Sequence, residues 1–170
     1  AMGAVFIADT TSKPKTEVVI KFARGDDPIN EKRLRREIDL LRELQKTKPK
    51  NVVPYVDESE EEEELFLVME YLEGQTLEER RQSLGSEKLD SETVINFSKD
   101  IAEALSAVHG LYTIHRDLKP ANLVVVRRNG EEHCVLVDFG IGKLMTEDLT
   151  TGAPGTKAWS CKHNEIKPSR

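Results

Sequence analysis

The chain of 170 residues lacks any apolar run near the ~20 residues that a membrane-spanning helix needs, so no helical span is expected. It also lacks cysteine in quantity. The two present, Cys134 and Cys161, have no metal-like spacing, and a reducing compartment, the cytoplasm, is expected. Residues 1–13 lack a basic start followed by a long apolar stretch, so no secretory leader is expected. Positive charge is in deficit. With 25 Lys+Arg against 31 Asp+Glu, the net charge of −6 gives no reason to expect nucleic acid as a partner. Internal repeats are absent from the pattern. What remains, 38% hydrophobic and 33% charged residues, reads as soluble and globular, with length enough for one domain or two small lobes.

The acid is concentrated in the run Glu58 to Glu64, which reads as a solvated hairpin loop because like charges repel and stay wet. A docking patch for a basic partner is the alternative. Lys32, Arg33, Arg35 and Arg36 read as the exposed face of a helix, or as a phosphate pocket. The β-branched runs 4–8 and 16–23, separated by a segment with Pro14, predict an antiparallel hairpin. From Asn30, a plausible N-cap, Leu34, Ile38, Leu41 and Leu44 trace a helical stripe that Pro49 stands beyond. "VVPYV" and "LFLVMEYL" predict strands on either side of the acidic run. "TLEERRQ" predicts a short helix. A longer helix follows, capped by Asp90 or Ser91 and apolar along Val94, Phe97, Ile101, Ala104, Leu105 and Val108. "LVVV" and "CVLV" predict a hairpin closed at Asn129-Gly130. From Thr146 on, the chain is polar and without period, and reads as loop or disorder.

Between the long helix and that hairpin lies "HRDLKPAN". Asp117 is an acid in a loop held by rigid elements, where a carboxylate can face a cleft. Lys119 reaches an anionic group near the same point, Pro120 stiffens the backbone, and Asn122 offers a neutral oxygen suited to a hard cation such as Mg²⁺. Asp138, in "VLVDFG", ends an apolar strand and would complete a magnesium site, although Asp-x-Gly is also a common turn. Lys21 interrupts the apolar strand "VVIKF" and needs a negative partner there. Glu37 shares the inner helix face with Leu34, Ile38 and Leu41, and is preferred to Glu31 and Glu43.

Taken in order, "VVIK", a helix glutamate, "HRDLKPAN" and "DFG" resemble the eukaryotic-type protein kinase catalytic domain, with Val19 where alanine is usual. The Lys119-Pro120 pair looks like the serine/threonine branch. The resemblance runs from Gly3 to about Thr156. It implies an α+β fold: a mostly-β lobe with one helix over 1–69, a hinge at 70–72, a partial helical lobe over 73–145, and an activation segment and tail over 146–170.

It also implies ATP and Mg²⁺ as cofactors and a protein substrate. Asp117 would accept or steer the hydroxyl proton, and Lys119 would steady the phosphoryl group. Asn122 and Asp138 would hold Mg²⁺, and Lys21, positioned by Glu37, would contact the α- and β-phosphates. Val5, Val19 and Val124 would sandwich adenine, Met69 would set the pocket's depth, and the backbone from Glu70 to Leu72 would bond the base. His115 is expected to be structural. Arg116 would pair with a phosphate on the activation segment, at Thr150 or Thr151 in preference to Thr146.

Two features depart from the family pattern. Of the Gly-rich loop only Gly3, Ala4 and Val5 match its tail, and after Gly155-Thr156 the chain offers Trp159 but no A-P-E. The domain is therefore read as truncated at both ends, with the helix at 91–109 left with an uncovered apolar face. A homodimer or partner chain is expected to cover it. The leading expectation is phosphoryl transfer to serine or threonine. The alternatives are a weakly active or inactive nucleotide-binding regulatory module, and a phosphotransferase acting on a small molecule.

Overall fold

A computed structural model describes residues 3–139 except 12, 24–27, 62–63 and 86. Strands β1 (Gly3–Asp9) and β2 (Glu17–Ala23) form the antiparallel hairpin expected from their β-branched runs. Helix α1 (Pro28–Thr47) follows, then β3 (Tyr55–Glu61) and β4 (Glu64–Glu70). The four strands make one antiparallel sheet in the order β1-β2-β4-β3. Three rings cross it: Phe6 meets Phe22 edge-on at 5.8 Å, and Phe22 meets Phe66 at 5.4 Å.

Several expectations are corrected here. Asn30 is not the N-cap of α1. The helix already runs from Pro28, a residue suited to the first turn because its missing N–H would be unpaired there anyway. Val52 and Val53 lie outside the strands, and β3 starts after Pro54, which has no N–H for a ladder. Residues 58–61 and 64 of the acidic run are strand and not loop, and 62–63 lie outside the described residues. Glu58 pairs with Leu67 and Glu61 with Glu64 across β3 and β4, and the Glu58 carboxylate accepts from Arg42 and Tyr55. Residues 58–61 are thus absorbed by strand pairing against apolar β4.

A second sheet was only partly anticipated. Strand β5 (Gly74–Thr76) pairs with β6 (Leu123–Arg128), which pairs with β7 (Glu131–Leu136), all antiparallel. Asn129 and Gly130 close the β6–β7 turn with φ of 52° and 88°, the left-handed pair that a tight two-residue hairpin needs. Gly74 is required sterically, since a Cβ there would lie 2.1 Å from the Val125 carbonyl oxygen. Helix α2 (Leu77–Ser83) begins at Thr76 with a reciprocal cap: Thr76 accepts from the Glu79 amide and Glu79 accepts from the Thr76 amide. Helix α3 (Ser91–Gly110) is capped by Asp90, which accepts from the Thr93 amide at 2.9 Å.

The core runs through both sheets. Leu34, Ile38, Leu41 and Leu44 of α1 meet Leu67 and Met69 of β4, and the same cluster takes in Ala104, Val108, Leu123 and Leu136. The segment between α1 and β3 is bound to β7 by backbone: the Val53 amide donates to Leu136 at 2.9 Å, and the Leu136 amide to Asn51 at 3.0 Å. A buried carboxylate adds to this. Asp100 of α3 accepts from the Cys134 amide at 2.9 Å and from the Asn51 side chain at 3.2 Å. Beside it, burial pushes the Cys134 thiol up to about 12, so it is inert at neutral pH. On α3, Phe97, Ala104 and Val108 face inward, Ile101 and Leu105 are half-buried, and Val94 faces out, contrary to its expected place on the inner stripe. Among the described residues no helix is long and apolar enough to cross a membrane.

Candidate active site

Strand alternation puts Val19 and Lys21 on one face of β2, and pairing sets Val5 opposite Lys21, Ile7 opposite Val19 and Met69 opposite Val19. Lys21 meets the helix from below. Its Nζ donates to Glu37 Oε1 and Oε2 at 2.8 and 2.7 Å, and to Asp138 Oδ1 at 2.7 Å. Glu37 is nearly fully buried among the leucines of α1. Its two competitors are engaged elsewhere, Glu31 by Arg35 and Glu43 by Lys46. Asp138 is brought to the lysine because the β7 strand ends at Leu136, two residues earlier.

The charges within this trio are unequal. Burial pushes the Glu37 carboxyl up to about 7, an effect the Lys21 charge opposes and the Asp138 charge reinforces. Burial pulls the Lys21 ammonium down, but the two carboxylates outweigh it and leave its pKa raised.

The loop after α3 builds the other part. Lys119 Nζ donates to Asp117 Oδ2 at 2.6 Å, and Asn122 Nδ2 donates to the Asp117 carbonyl at 2.9 Å and to Oδ2 at 3.3 Å. A single 3₁₀ turn, Pro120–Asn122, makes this approach possible, with the proline supplying the fixed φ. Asp117 and Asn122 are buried and Lys119 is half-buried. His115 lies beneath, buried, its ring 5.5 Å from that of Phe139 and its Nδ1 accepting from the Asp117 amide at 3.3 Å. Burial holds its imidazole below the usual range, which suits a packing role. Arg116 takes a left-handed φ of 63° that turns the chain between the two. Thr146, Thr150 and Thr151 lie outside the described residues.

A cleft of about 620 Å³ joins these parts. Val5, Val19, Lys21, Met69, Glu70, Leu72, Asn122, Val124 and Asp138, all singled out from sequence, line it. Asp117 and Lys119 reach it through Asn122, and Glu37 through Lys21. The sequence did not point to Ile7, Val53, Gly74, Ala121 or Val137 as lining. Two-residue alternation from Val5 gives Ile7, and adjacency to Asn122 and Asp138 gives Ala121 and Val137; Gly74 lies two residues past Leu72, and Val53 comes from the segment before β3. Two of the amides at 70–72 are used internally: Glu70 donates to Pro54 at 3.0 Å and Tyr71 to Glu17 at 3.4 Å.

The donor set suits a hard divalent cation. Asp138 supplies a carboxylate and Asn122 an amide oxygen on one wall. Magnesium takes only one or two protein oxygens and keeps its waters for phosphate. Among the described residues no three His, Cys, Asp or Glu gather as a cage, which such a cation does not require.

The family model described as protein kinase domain matches residues 1–162. Mitogen-activated protein kinase kinase 9 of Arabidopsis thaliana is 35% identical over 137 residues, 76% of this chain and 39% of that protein. Serine/threonine-protein kinase PknH of Mycobacterium tuberculosis is 33% identical over 153 residues, 88% of this chain and 23% of that protein. The crystal structure of the Mycobacterium tuberculosis PknI kinase domain superposes with a TM-score of 0.67 at 26% identity, over 83% of this chain and 56% of that one. The chain therefore spans well under half the length of these curated relatives and just over half of the solved domain.

Proposed function

Because the chain belongs to the protein kinase domain family, we propose that its cleft takes ATP with Mg²⁺ and transfers the γ-phosphoryl group to a serine or threonine hydroxyl of a protein substrate. The observation that carries this is the convergence, on one cavity, of Lys21 bound to Glu37 and Asp138 with Asn122 bound to Asp117.

Each group then has a defined task. Val5, Val19 and Val124 cover the faces of the purine, Met69 closes its inner end, and the Leu72 amide and Glu70 carbonyl take its polar edge. Lys21 grips the α- and β-phosphates. Of its two partners Asp138 is the one exchanged, because its side chain is 31% exposed against 5% for Glu37. Asp138 and Asn122 would hold Mg²⁺, which when bound neutralises charge on the phosphate oxygens. Asp117 steers and accepts the proton as the hydroxyl oxygen bonds to phosphorus and the bond to the leaving ADP oxygen breaks. Lys119, at 2.6 Å from Asp117, supplies positive charge beside the transferring group.

The test is γ-phosphate transfer from labelled ATP to a mixed serine/threonine peptide library, with Asp117→Asn as control. Transfer should fall by about 10²–10⁴-fold in the variant while nucleotide binding, followed by calorimetry, persists. A second reading is a nucleotide-holding regulatory module that acts through a partner or dimer, favoured by the exposure of Val94, Ile95 and Ile114. Nucleotide binding without transfer in the unaltered chain would select it. Absence of both would overturn the two together.

A further inference from the structure

Sharing Val53 and Glu70 with the cleft lies a second cavity of about 410 Å³, within the size range of ligand pockets. Its wall is built by Leu41 and Leu44 of α1 and by Pro49, Val52 and Pro54 of the segment that follows. Its rim is cationic. Lys48, Lys50 and Arg128 stand around it against one acid, Glu70, in a chain whose net charge is −6. Lys48 and Lys50 are exposed, and among the described residues no carboxylate pairs with either. Arg128 is held in place by donating to the Lys50 carbonyl at 2.7 Å. Lys48 is held by its φ of 47° and by its amide, which donates to Leu44 at 3.0 Å and ends the helix. The cations are thus mounted on backbone that the core already fixes.

We infer that this cavity is a docking site for an acidic peptide segment that inserts one bulky apolar side chain. The apolar wall and bounded volume call for a single anchor, and the excess of rim cations calls for carboxylates flanking it. An anionic membrane surface fits less well, because the apolar wall is recessed and a flat lipid face would meet the rim alone. The site differs from the nucleotide cleft in its other lining residues, yet Val53 and Glu70 line both, so an occupant would touch two residues that also bound the cleft.

The test uses a short fluorescein-labelled peptide of glutamates around one central tryptophan, with fluorescence anisotropy as the readout and no nucleotide present. The control peptides replace the tryptophan by serine, or the glutamates by lysine. Saturable binding to the unaltered chain is expected, weaker by at least about tenfold for either control. Lys48→Glu combined with Lys50→Glu should weaken it by a similar factor, and Gln45→Trp, which fills the mouth from α1 without changing charge, should abolish it. Circular dichroism melting checks that these surface variants stay folded. Equal binding by all three peptides, or by the unaltered chain and both variants, would overturn the site. So would binding confined to phosphatidylserine vesicles.

Discussion

Lys21 faces two carboxylates with one positive charge, and the cost falls on the more buried of them. Glu37 titrates at about 7 in the folded chain against an ordinary 4.5, so the folded state holds this proton more tightly than the unfolded state does. Its stabilising contribution is complete below about pH 4.5 and lost as pH rises through about 7. The melting-temperature difference between the unaltered chain and Glu37→Gln should therefore shrink or change sign across that window. A difference that stays flat with pH would show that Glu37 is not shifted. Asp100 makes the second case at this scale. It is buried and accepts from the Cys134 amide and the Asn51 side chain, so Asp100→Ala strips the Cys134 amide of this acceptor and leaves the Asn51 side chain to Glu103 alone. Urea denaturation should show a loss of ~2–4 kcal/mol, as expected for a broken buried network.

At the scale of elements, the short strand β5 is the piece most sensitive to a single atom. Its pairing with β6 brings Gly74 so close to the Val125 carbonyl that an added methyl would overlap backbone, which cannot swing aside as a side chain would. Gly74→Ala should destabilise the chain by ~1–3 kcal/mol and speed amide exchange along Gly74–Thr76 and the paired Val124–Val126, read by hydrogen-exchange mass spectrometry. Because Gly74 and Thr76 also line the cleft, the same variant should weaken nucleotide binding in calorimetry. Protection equal to that of the unaltered chain would mean that β5 does not depend on this contact.

For the molecule as a whole, the described residues include large apolar side chains that face out. Val94 and Ile95 on the outer side of α3 are 46% and 54% exposed, and Ile114, just beyond the helix, is 62% exposed. Water around such groups favours association. Sedimentation velocity should show concentration-dependent self-association that Ile95→Glu combined with Ile114→Glu shifts toward monomer. Unchanged sedimentation in that variant would mean that these side chains do not carry the contact.

Local pattern carried far in this chain. The apolar spacing of α1 and the Asn129-Gly130 turn are properties of neighbouring residues, over which steric rules act, and the order of lysine, glutamate, "HRDLKPAN" and "DFG" is read directly along the chain. The pairing of Lys21 with Glu37 was legible too, since only that glutamate shares the buried stripe of α1. Tertiary contact decided the rest. Residues 58–61 became strand because apolar β4 lies beside them, and Val94 is exposed while Phe97, Ala104 and Val108 of the same helix are buried. Asp100 gained its partners, and Gly74 its strand pairing, from segments far away in the chain, and Val53 took its place on the cleft wall by the same route. Burial and long-range hydrogen bonding depend on which surfaces meet, and no window of neighbouring residues contains that information.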